Sequence, residues 1–329
     1  MNDKLRVLLV TTWDQPCGIA EHSWYLKQAV EAADPEIEIT PWTDLDPASL
    51  RSSVPVPDLV WLNYQAALHS RWTPDWIQRW RQSVNGMKIG VTYHDTGVPN
   101  SDQCQAICAA ADTFVIHEPA DDLPMEKGDY WRMGVPTPTP AGIHPPDGPE
   151  YWALGYRDQP RLGTIGFPFA WKCYDELAKV TAANGWAFYV IAPGATDEQM
   201  ACWLRLNPCT TVRRAFVGRQ AAVRLLAGCD ATAFTYVCHN TGQSGAILQG
   251  IAARKPVIAL STCRQMRALY EDPLGREAIR WCSTFEEVGF ALRTVSIERC
   301  DPGIVALAEQ DGWARLGQRY AQLYRRLVA

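Results

Sequence analysis

The sequence of 329 residues has no apolar run long enough to cross a membrane, which needs about 20 residues. The short apolar run near its start follows Asp3, Lys4 and Arg6, and it is also too short for the hydrophobic region of a secretory signal. We therefore expect no integral membrane segment and a cytoplasmic location.

Cysteine pairs of the C-x-x-C type are absent as well, which excludes the common zinc-ribbon and zinc-finger sites. The 11 cysteines are scattered along the chain, and Cys104 and Cys108 are four residues apart, so that a helix would place them on one face. Reduced thiols that pack as small apolar side chains explain this pattern better than a metal site does, and they suit a reducing compartment.

The length of the chain predicts two domains, because a single core rarely grows beyond about 250–300 residues. Charge is distributed unequally between the halves. Residues 1–150 contain 10 Lys and Arg against 21 Asp and Glu, whereas residues 151–329 contain 21 against 15. A basic C-terminal half can attract an anionic ligand, and an acidic N-terminal half repels a nucleic-acid backbone. Drift in surface charge explains the asymmetry equally well.

Short apolar runs alternate with helical patterns throughout the chain, as in parallel sheets covered by helices on both faces. We therefore expect an α/β protein with two doubly wound, Rossmann-like domains, which bind ligands at the carboxyl ends of their strands. The predicted strands are Arg6–Val10, Glu36–Thr40, Leu59–Asn63, Lys88–Tyr93, Thr113–Ile116, Leu162–Gly166, Ala187–Ile191, Val212–Ala215, Ala231–Phe234 and Val257–Leu260. The predicted helices are Ile19–Ala32, Pro74–Val84, Ser101–Ala110, Tyr174–Ala183, Asp197–Leu204, Arg219–Ala227, Ser244–Ala253 and Gly312–Val328.

A proline-rich stretch separates the two sets of elements. Residues 134–149 include the segments TPTP and HPP, which sustain neither a helix nor a central strand. We predict a first domain over residues 1–150, a second over residues 151–311, and a final amphipathic helix over residues 312–329 that packs back on the first domain.

Polar residues follow two of the predicted strands in the first domain. After the first strand, a turn at Gly18 opens a helix whose free N–H groups could hold an anion. After the fourth strand come His94 and Asp95, where ligands bind in such sheets. The imidazole could bind a hydroxyl or move a proton; alternatively, both residues are structural and Asp95 caps the next turn.

The second domain offers two phosphate-like sites. Gly166 follows its first strand, and Lys172 stands at the start of the next helix, where a positive charge opposes the helix dipole unless an anion is bound. Residues 239–247, HNTGQSGAI, place small and polar residues before another helix, so that a diphosphate could approach the backbone at Ser244 and Gly245. An ordinary capped helix is the alternative.

In their order and spacing, these segments resemble the family-4 glycosyltransferases of the GT-B fold, which retain the configuration of the sugar. The matching segments are PCGIAEHS, VTYHD, GTIGFPFAWK, AFVG and GQSGAILQGIAARKPVIA, spread over nearly the whole chain. The resemblance implies two Rossmann-like domains that face each other across a cleft. The domain of residues 1–150 would bind the acceptor, and the domain of residues 151–311 would bind the nucleotide sugar.

The resemblance also implies roles for single residues. Gly18 and Lys172 would lie at the donor diphosphate, and His94 with Asp95 at the transferred sugar. The nucleobase pocket and the rest of the donor site would be formed by Phe216, Val217 and Gly218, and by Gly166, Thr241, Gln243, Ser244 and Gly245.

Three positions depart from the pattern of the family. Its two glutamates, separated by seven residues, would fall at Thr241 and Gln249, so the motif is degenerate. The basic residue that usually follows the first glycine of the second domain is also missing near Gly166. Spacing does not decide which arginine replaces it, and the candidates are Arg213, Arg214, Arg264 and Arg267.

The chain is rich in tryptophan, with 14 residues. Trp72, Trp76 and Trp80 recur every four residues and would form one stripe on a helix. Packing in the core is the favoured interpretation of this stripe, and an aromatic shelf for an acceptor is the alternative.

We therefore predict a glycosyltransferase that moves a sugar from a nucleotide-diphosphate donor to a hydroxyl of a glycan, a lipid-linked acceptor or a small molecule. Asp14 and Asp95 are isolated acids at the expected strand ends, so we predict no metal and no cofactor besides the nucleotide sugar. The alternatives are a nucleotide-sugar-binding protein with little activity, a glycosyltransferase acting on a modified DNA base, and a sugar-nucleotide epimerase. The tryptophans favour a nucleic-acid acceptor, but the acidic first half opposes it.

Overall fold

The computed structural model describes residues 4–15, 17–43, 56–65, 74–83, 87–94, 101–117, 125–136, 159–237, 243–297 and 301–329. The chain divides into two compact units. The first comprises Met1–Gly134, Asn240–Gln243 and Asp311–Ala329, and the second comprises Val135–His239 and Ser244–Gln310. The predicted domain boundary at residue 150 lies outside the described residues.

The first unit is built on a parallel sheet of six strands in the order β2-β1-β3-β4-β5-β6. Its strands are β1 Leu5–Val10, β2 Ile37–Trp42, β3 Leu59–Tyr64, β4 Lys88–Tyr93, β5 Thr113–Ile116 and β6 Gly128–Tyr130. The helices that follow them are α1 Gly18–Ala33, α2 Pro74–Ser83 and α3 Ser101–Ala110.

The central strands of this sheet are mostly apolar because both faces of the sheet are covered. Every residue of β3 is buried. Trp76 and Trp80 of α2 are buried in the core on one face, as the packing interpretation of the tryptophan stripe predicts, and Trp72 lies outside the described residues. Tyr25 and Leu26 of α1 belong to the core on the other face.

The second unit is built on another parallel sheet of six strands, in the order β12-β11-β10-β7-β8-β9. Its strands are β7 Arg161–Ile165, β8 Ala187–Ile191, β9 Thr210–Arg213, β10 Ala231–Phe234, β11 Val257–Leu260 and β12 Arg280–Cys282. Its helices are α4 Tyr174–Ala183, α5 Asp197–Leu206, α6 Arg219–Ala227, α7 Gly245–Ala252, α8 Arg267–Tyr270, α9 Pro273–Ala278, α10 Phe285–Thr294 and α11 Pro302–Gln310. This strand order is that of a Rossmann sheet, so the prediction of two Rossmann-like α/β sheets is confirmed.

The last helix, α12, covers Trp313–Val328 and belongs to the first unit, where it packs along α1. Its Gly317 approaches α1 so closely that an added Cβ would lie 2.4 Å from the carbonyl oxygen of Ala29. Arg325 donates two hydrogen bonds of 2.9 and 3.1 Å to Asp34 at the end of α1. None of the helices in the described ranges is both long enough and apolar enough to span a bilayer.

The structure differs from the sequence-based prediction mainly at short or edge elements. Strand β2 continues through Pro41 to Trp42, because an edge strand tolerates a residue without an N–H group. The short edge strands β6 and β12 and the helices α8–α11 were not predicted. The helix after Lys172 covers Tyr174–Ala183, as predicted, and Lys172 lies two residues before it, at the end of a 3-10 turn at Ala170–Lys172.

Several thiols are packed inside the units. Cys108, Cys229, Cys263 and Cys282 are buried thiols that form no disulfide bond. Burial raises the pKa of the Cys229 thiol to about 12, so that this group is protonated at neutral pH. These four cysteines behave as small apolar core residues, as the sequence predicts.

Candidate functional site

Each sheet has one position at which the strand order reverses, and ligands of doubly wound sheets bind at the carboxyl ends of the strands there. In the second unit this position lies between β7 and β10, and in the first unit it lies between β1 and β3. The predicted site residues Gly166 and Lys172 follow β7, and Gly18 follows β1.

Gly166 and Lys172 are in direct contact at the end of β7. Gly166 has a φ angle of +135°, which favours glycine. A Cβ at this position would lie 1.9 Å from Nζ of Lys172, so the missing side chain also makes room for the ammonium group. The hydroxyl of Tyr174 donates a 3.1 Å hydrogen bond to the Gly166 carbonyl, which fixes the turn.

The Lys172 side chain is buried among aromatic rings. Its Nζ lies 5.4 Å from the centre of the Trp171 ring and 5.1 Å from that of Tyr236, which are cation–π distances. The N–H of Val237 donates a 2.7 Å hydrogen bond to the Trp171 carbonyl. The turn that carries Lys172 is therefore attached to the segment that follows β10.

The N-terminus of α7 lies at the same edge. Ser244 is the N-cap, but its side chain makes no capping hydrogen bond, and its Oγ donates instead to the Tyr236 hydroxyl at 3.4 Å. A Cβ at Gly245 would have no neighbour within 4 Å. Tyr236 thus contacts both Lys172 and the N-cap of α7, and brings a cation next to a helix end whose N–H groups attract anions.

The division into two units falls between two consecutive residues of the predicted donor site, Gln243 and Ser244. Gln243 belongs to the first unit, where its Oε1 accepts a 2.6 Å hydrogen bond from the N–H of Met133. Ser244 and Gly245 belong to the second unit. Thr241 lies outside the described residues.

The predicted nucleobase residues follow β9, at the edge of the second sheet and two strands away from β7. Phe216 is 45% exposed, and Val217 is buried. Gly218 is the N-cap of α6 and has open space where a Cβ would lie. This segment presents an exposed aromatic ring beside an uncapped helix N-terminus.

Surface carboxylates bind two of the four candidate arginines. Arg214 lies 2.6 Å from Asp197, and Arg267 lies 2.6 Å from Glu271. Arg264 is exposed in the 3-10 turn that follows β11, the neighbour of β10. Arg213, the last residue of β9, lies at the carboxyl edge of this sheet as well.

In the first unit, Gly18 begins α1 after the N-cap Cys17, whose Sγ accepts a 3.4 Å hydrogen bond from the N–H of Ala20. A Cβ at Gly18 would have no neighbour within 4 Å. His94 follows β4 directly, and its backbone N–H donates a 3.0 Å hydrogen bond to the carbonyl of Tyr64. Asp95, the second predicted catalytic residue, lies outside the described residues.

His94 belongs to a cluster of three histidines that the sequence analysis did not find. The ring centre of His22 on α1 lies 4.5 Å from that of His94, and His117, which follows β5, lies 5.1 Å from both. Burial lowers the pKa of His117 to about 4. Burial and, to a smaller extent, the rings of His94 and His117 lower the pKa of His22 well below its usual value. His22 and His117 are therefore neutral at pH 7.

Comparison with known proteins identifies the fold. No family model and no curated protein matches the sequence. The crystal structure of HepE from Anabaena with UDP and glucose matches with a TM-score of 0.68 at 13% identity, over 98% of this chain and all of that chain. The trehalose-6-phosphate synthase OtsA matches with a TM-score of 0.67 at 11% identity, over 97% and 99% of the two chains. The chain has the GT-B fold. The resemblance to family 4 and its glutamate motif stays a prediction.

Within this GT-B fold, the histidine cluster is the group of metal-ligating side chains found among the described residues. One nitrogen from each ring lies within 4.8 Å of the others. Two of the rings are joined by a hydrogen bond of 3.2 Å between Nε2 of His22 and Nε2 of His117. Nδ1 of His22 and Nε2 of His94 are both hydrogen-bonded to the side chain of Asn63. Hydrogen bonds therefore connect all three rings, and the absence of a metal stays a prediction.

The residues that sequence reasoning missed carried weak signals. His117 follows a strand end in the same way as His94, and His22 lies four residues after Gly18 on α1. Tyr236 follows β10, but an aromatic residue there is equally expected in the core. Asp44 and Asp46 follow β2 two residues apart, were also overlooked, and lie outside the described residues.

Proposed function

We propose that the protein is a glycosyltransferase that takes a sugar from a nucleotide-diphosphate donor and transfers it to an acceptor hydroxyl. The observation that carries this proposal is the contact of both Lys172 and the N-cap of α7 with Tyr236, where the strand order of the second sheet reverses. Solved structures of the same fold contain UDP or UDP-glucose, which supports a donor of this class.

The chemistry of such a transfer matches these groups. The bond between the sugar carbon and the diphosphate oxygen breaks, and the leaving diphosphate keeps the electron pair. The acceptor oxygen forms the new bond, and its proton passes to the leaving diphosphate or to solvent. Preorganised donors and cations at the leaving group stabilise the charge that develops on it. We assign this role to Lys172 and to the N–H groups of α7, with Gly166 leaving the space that Lys172 needs.

We assign the transferred sugar to His94 of the first unit, as the family resemblance implies. His94 is 9% exposed at the carboxyl end of β4, where ligands of such a sheet bind. A hydrogen bond between the ring and a sugar hydroxyl that shortens in the transition state would lower the barrier without adding to donor affinity. Gly18 and Asp95 stay candidates for the same region.

Replacing Lys172 should weaken the binding of the nucleoside diphosphate. We expect Lys172→Ala to cost about 1.5–3 kcal/mol, or about 10- to 150-fold in Kd, because the variant loses a charge-assisted hydrogen bond. Titration calorimetry measures this change directly. Lys179→Ala is the matched control: it removes the same charge from α4, where Lys179 is exposed and pairs with Glu176 at 2.7 Å. If both variants bind the nucleoside diphosphate with equal affinity, Lys172 is not part of the site.

Turnover should survive EDTA, because a lysine and a helix N-terminus can stabilise the diphosphate without a divalent cation. The measurement is the release of nucleoside diphosphate from its sugar before and after chelation. Loss of activity that Mg²⁺ or Mn²⁺ restores would contradict the metal-free account. In that case Asp44→Asn and Asp46→Asn would be the first variants to assay, since these acids follow β2.

A nucleotide-sugar-binding protein without transfer is the second candidate. Gln249 on α7 favours it, because the family resemblance places a glutamate there. The same assay separates the two functions. A binding protein gives a saturable calorimetric signal with the nucleotide sugar but no release of nucleoside diphosphate, whereas a glycosyltransferase gives both.

A further inference from the structure

We propose that Asn63, His22 and His117 are positioning residues that fix the tautomer and the orientation of His94. Together with His94 they form a chain of hydrogen bonds that ends at the backbone carbonyl of Trp131. The catalytic consequence of this chain rests on the proposed function, but the tautomers do not, and they can be measured without a substrate.

The direction of each hydrogen bond in this chain follows from the bond at its end, between His117 and the carbonyl of Trp131. A carbonyl only accepts, so His117 must donate from Nδ1 to Trp131, at 2.7 Å. Since the His117 ring is neutral, its Nε2 carries the lone pair and accepts. His22 Nε2, at 3.2 Å, must therefore donate to it. The neutral His22 ring then accepts at Nδ1, where the nitrogen of the Asn63 amide lies at 3.2 Å.

The orientation of the Asn63 amide has independent support. Its Nδ2 also faces the carbonyl of Ile19 at 3.4 Å, and that oxygen already accepts a 2.8 Å hydrogen bond from Ser23. The reverse amide orientation would point Oδ1 at another acceptor. Two constraints from different parts of the first unit therefore agree that the amide nitrogen faces His22 and Ile19.

The amide oxygen of Asn63 consequently faces His94 and accepts from its Nε2. In the neutral form of the His94 ring, the lone pair is then on Nδ1. A group that contacts Nδ1 of this form must be a donor, as a hydroxyl is and a carbonyl or carboxylate is not. The chain of hydrogen bonds thus places the proton of a neutral His94 ring on Nε2, toward Asn63.

The residues of this hydrogen-bond chain are buried, which makes their arrangement rigid. Asn63, His117 and His22 are 0%, 1% and 2% exposed, whereas His94 at the end of the chain is 9% exposed. Trp313 of α12 covers His22 with its ring centre 4.9 Å away. Buried polar groups in a fully satisfied network specify one arrangement, because any reversal leaves a donor or an acceptor without its partner.

Nitrogen NMR of the protein with ¹⁵N-labelled histidine tests the proposal, since it distinguishes protonated from unprotonated ring nitrogens. Signals are assigned by replacing one histidine at a time. We expect protonation at Nε2 in His94 and His22 and at Nδ1 in His117. A His94 ring protonated at Nδ1 would overturn the proposal. So would one zinc ion per chain in elemental analysis that His117→Gln removes, because the cluster would then be a metal site.

Two variants of Asn63 test whether the chain of hydrogen bonds determines the tautomer of His94. Asn63→Leu removes the acceptor, so His94 should populate both tautomers, and kcat should fall about tenfold at unchanged nucleotide Kd. Asn63→Asp keeps an acceptor and should preserve the Nε2–H form of His94 and most of kcat. It should also place a proton on Nδ1 of His22, because a carboxylate can only accept from it.

Thr113→Val is the control, since it removes a buried hydrogen bond of 2.8 Å to the Lys127 carbonyl elsewhere in the same sheet. Its His94 tautomer should match the unmodified protein. A His94 tautomer that is unchanged in Asn63→Leu would refute the proposal. If that variant does not fold, the His22 tautomer in Asn63→Asp decides in its place. If the tautomers are as expected but no nucleotide binds, the proposed function is wrong and the proposal on the hydrogen bonds around His94 stands.

Discussion

His94→Ala should lower kcat about a hundredfold while the Kd of the nucleoside diphosphate stays nearly unchanged. A decrease in kcat of this size is expected when one preorganised hydrogen-bonding group that acts on the transition state is removed. The affinity for the diphosphate is preserved because Lys172 and α7, which we assign to it, are not altered. The measurement is the rate of nucleoside diphosphate release at saturating donor, together with titration calorimetry.

The melting temperature must be measured on the same variant, because His94→Ala also removes the donor to Asn63. A buried acceptor without its donor costs about 1–3 kcal/mol of stability, so some loss is expected in either case. The decisive quantity is therefore kcat below the melting transition. A destabilised variant with normal kcat would show that His94 is structural, and Asp95 would be the next residue to replace.

Gly317→Ala should destabilise the first unit by about 2–3 kcal/mol, although alanine is the better helix former. The new Cβ would lie 2.4 and 2.5 Å from the carbonyl oxygen and carbon of Ala29, and both are backbone atoms that cannot rotate away. Helix α12 must then move away from α1. Scanning calorimetry should show the transition of this unit lowered by about 4–12 °C.

Gly289→Ala in α10 is the matched control for this substitution. Its Cβ would come within 3.1 Å of only a side-chain atom, Nδ2 of Asn184, which can shift. This variant should be neutral or slightly more stable, because alanine has the higher helix propensity. Equal melting temperatures of the two variants would mean that α12 is not held against α1 at Gly317.

The sequence predicted the strands of both sheets well because a parallel sheet covered on both faces needs apolar runs, and these are local signals. Strands β4, β5, β8, β10 and β11 have the predicted bounds. The short strand β12 escaped notice, because three residues at a sheet edge carry too little apolar pattern to be distinguished from a loop.

Residues of the candidate site could be predicted only where their type is unusual for their position next to a predicted strand or helix. Lys172 stood out because a cation near a helix start is unfavourable without an anion, and Gly166 because it follows a strand. Tyr236 and Asn63 could not be found, since their roles depend on neighbours that are distant in sequence: Asn63 contacts His22 and His94, 41 and 31 residues away.

The central claim, that the protein binds a nucleotide-diphosphate donor, is tested most directly by scanning calorimetry of the unmodified protein. The additions are the nucleoside diphosphates of the five common bases, their sugars and the matching monophosphates. At 100 times its Kd, the correct ligand should add about 2.7 kcal/mol of stability and raise the melting temperature in a concentration-dependent way. We predict this result for one diphosphate and its sugar, with a smaller effect of the monophosphate. Unchanged melting temperatures with every diphosphate and every nucleotide sugar would contradict the account.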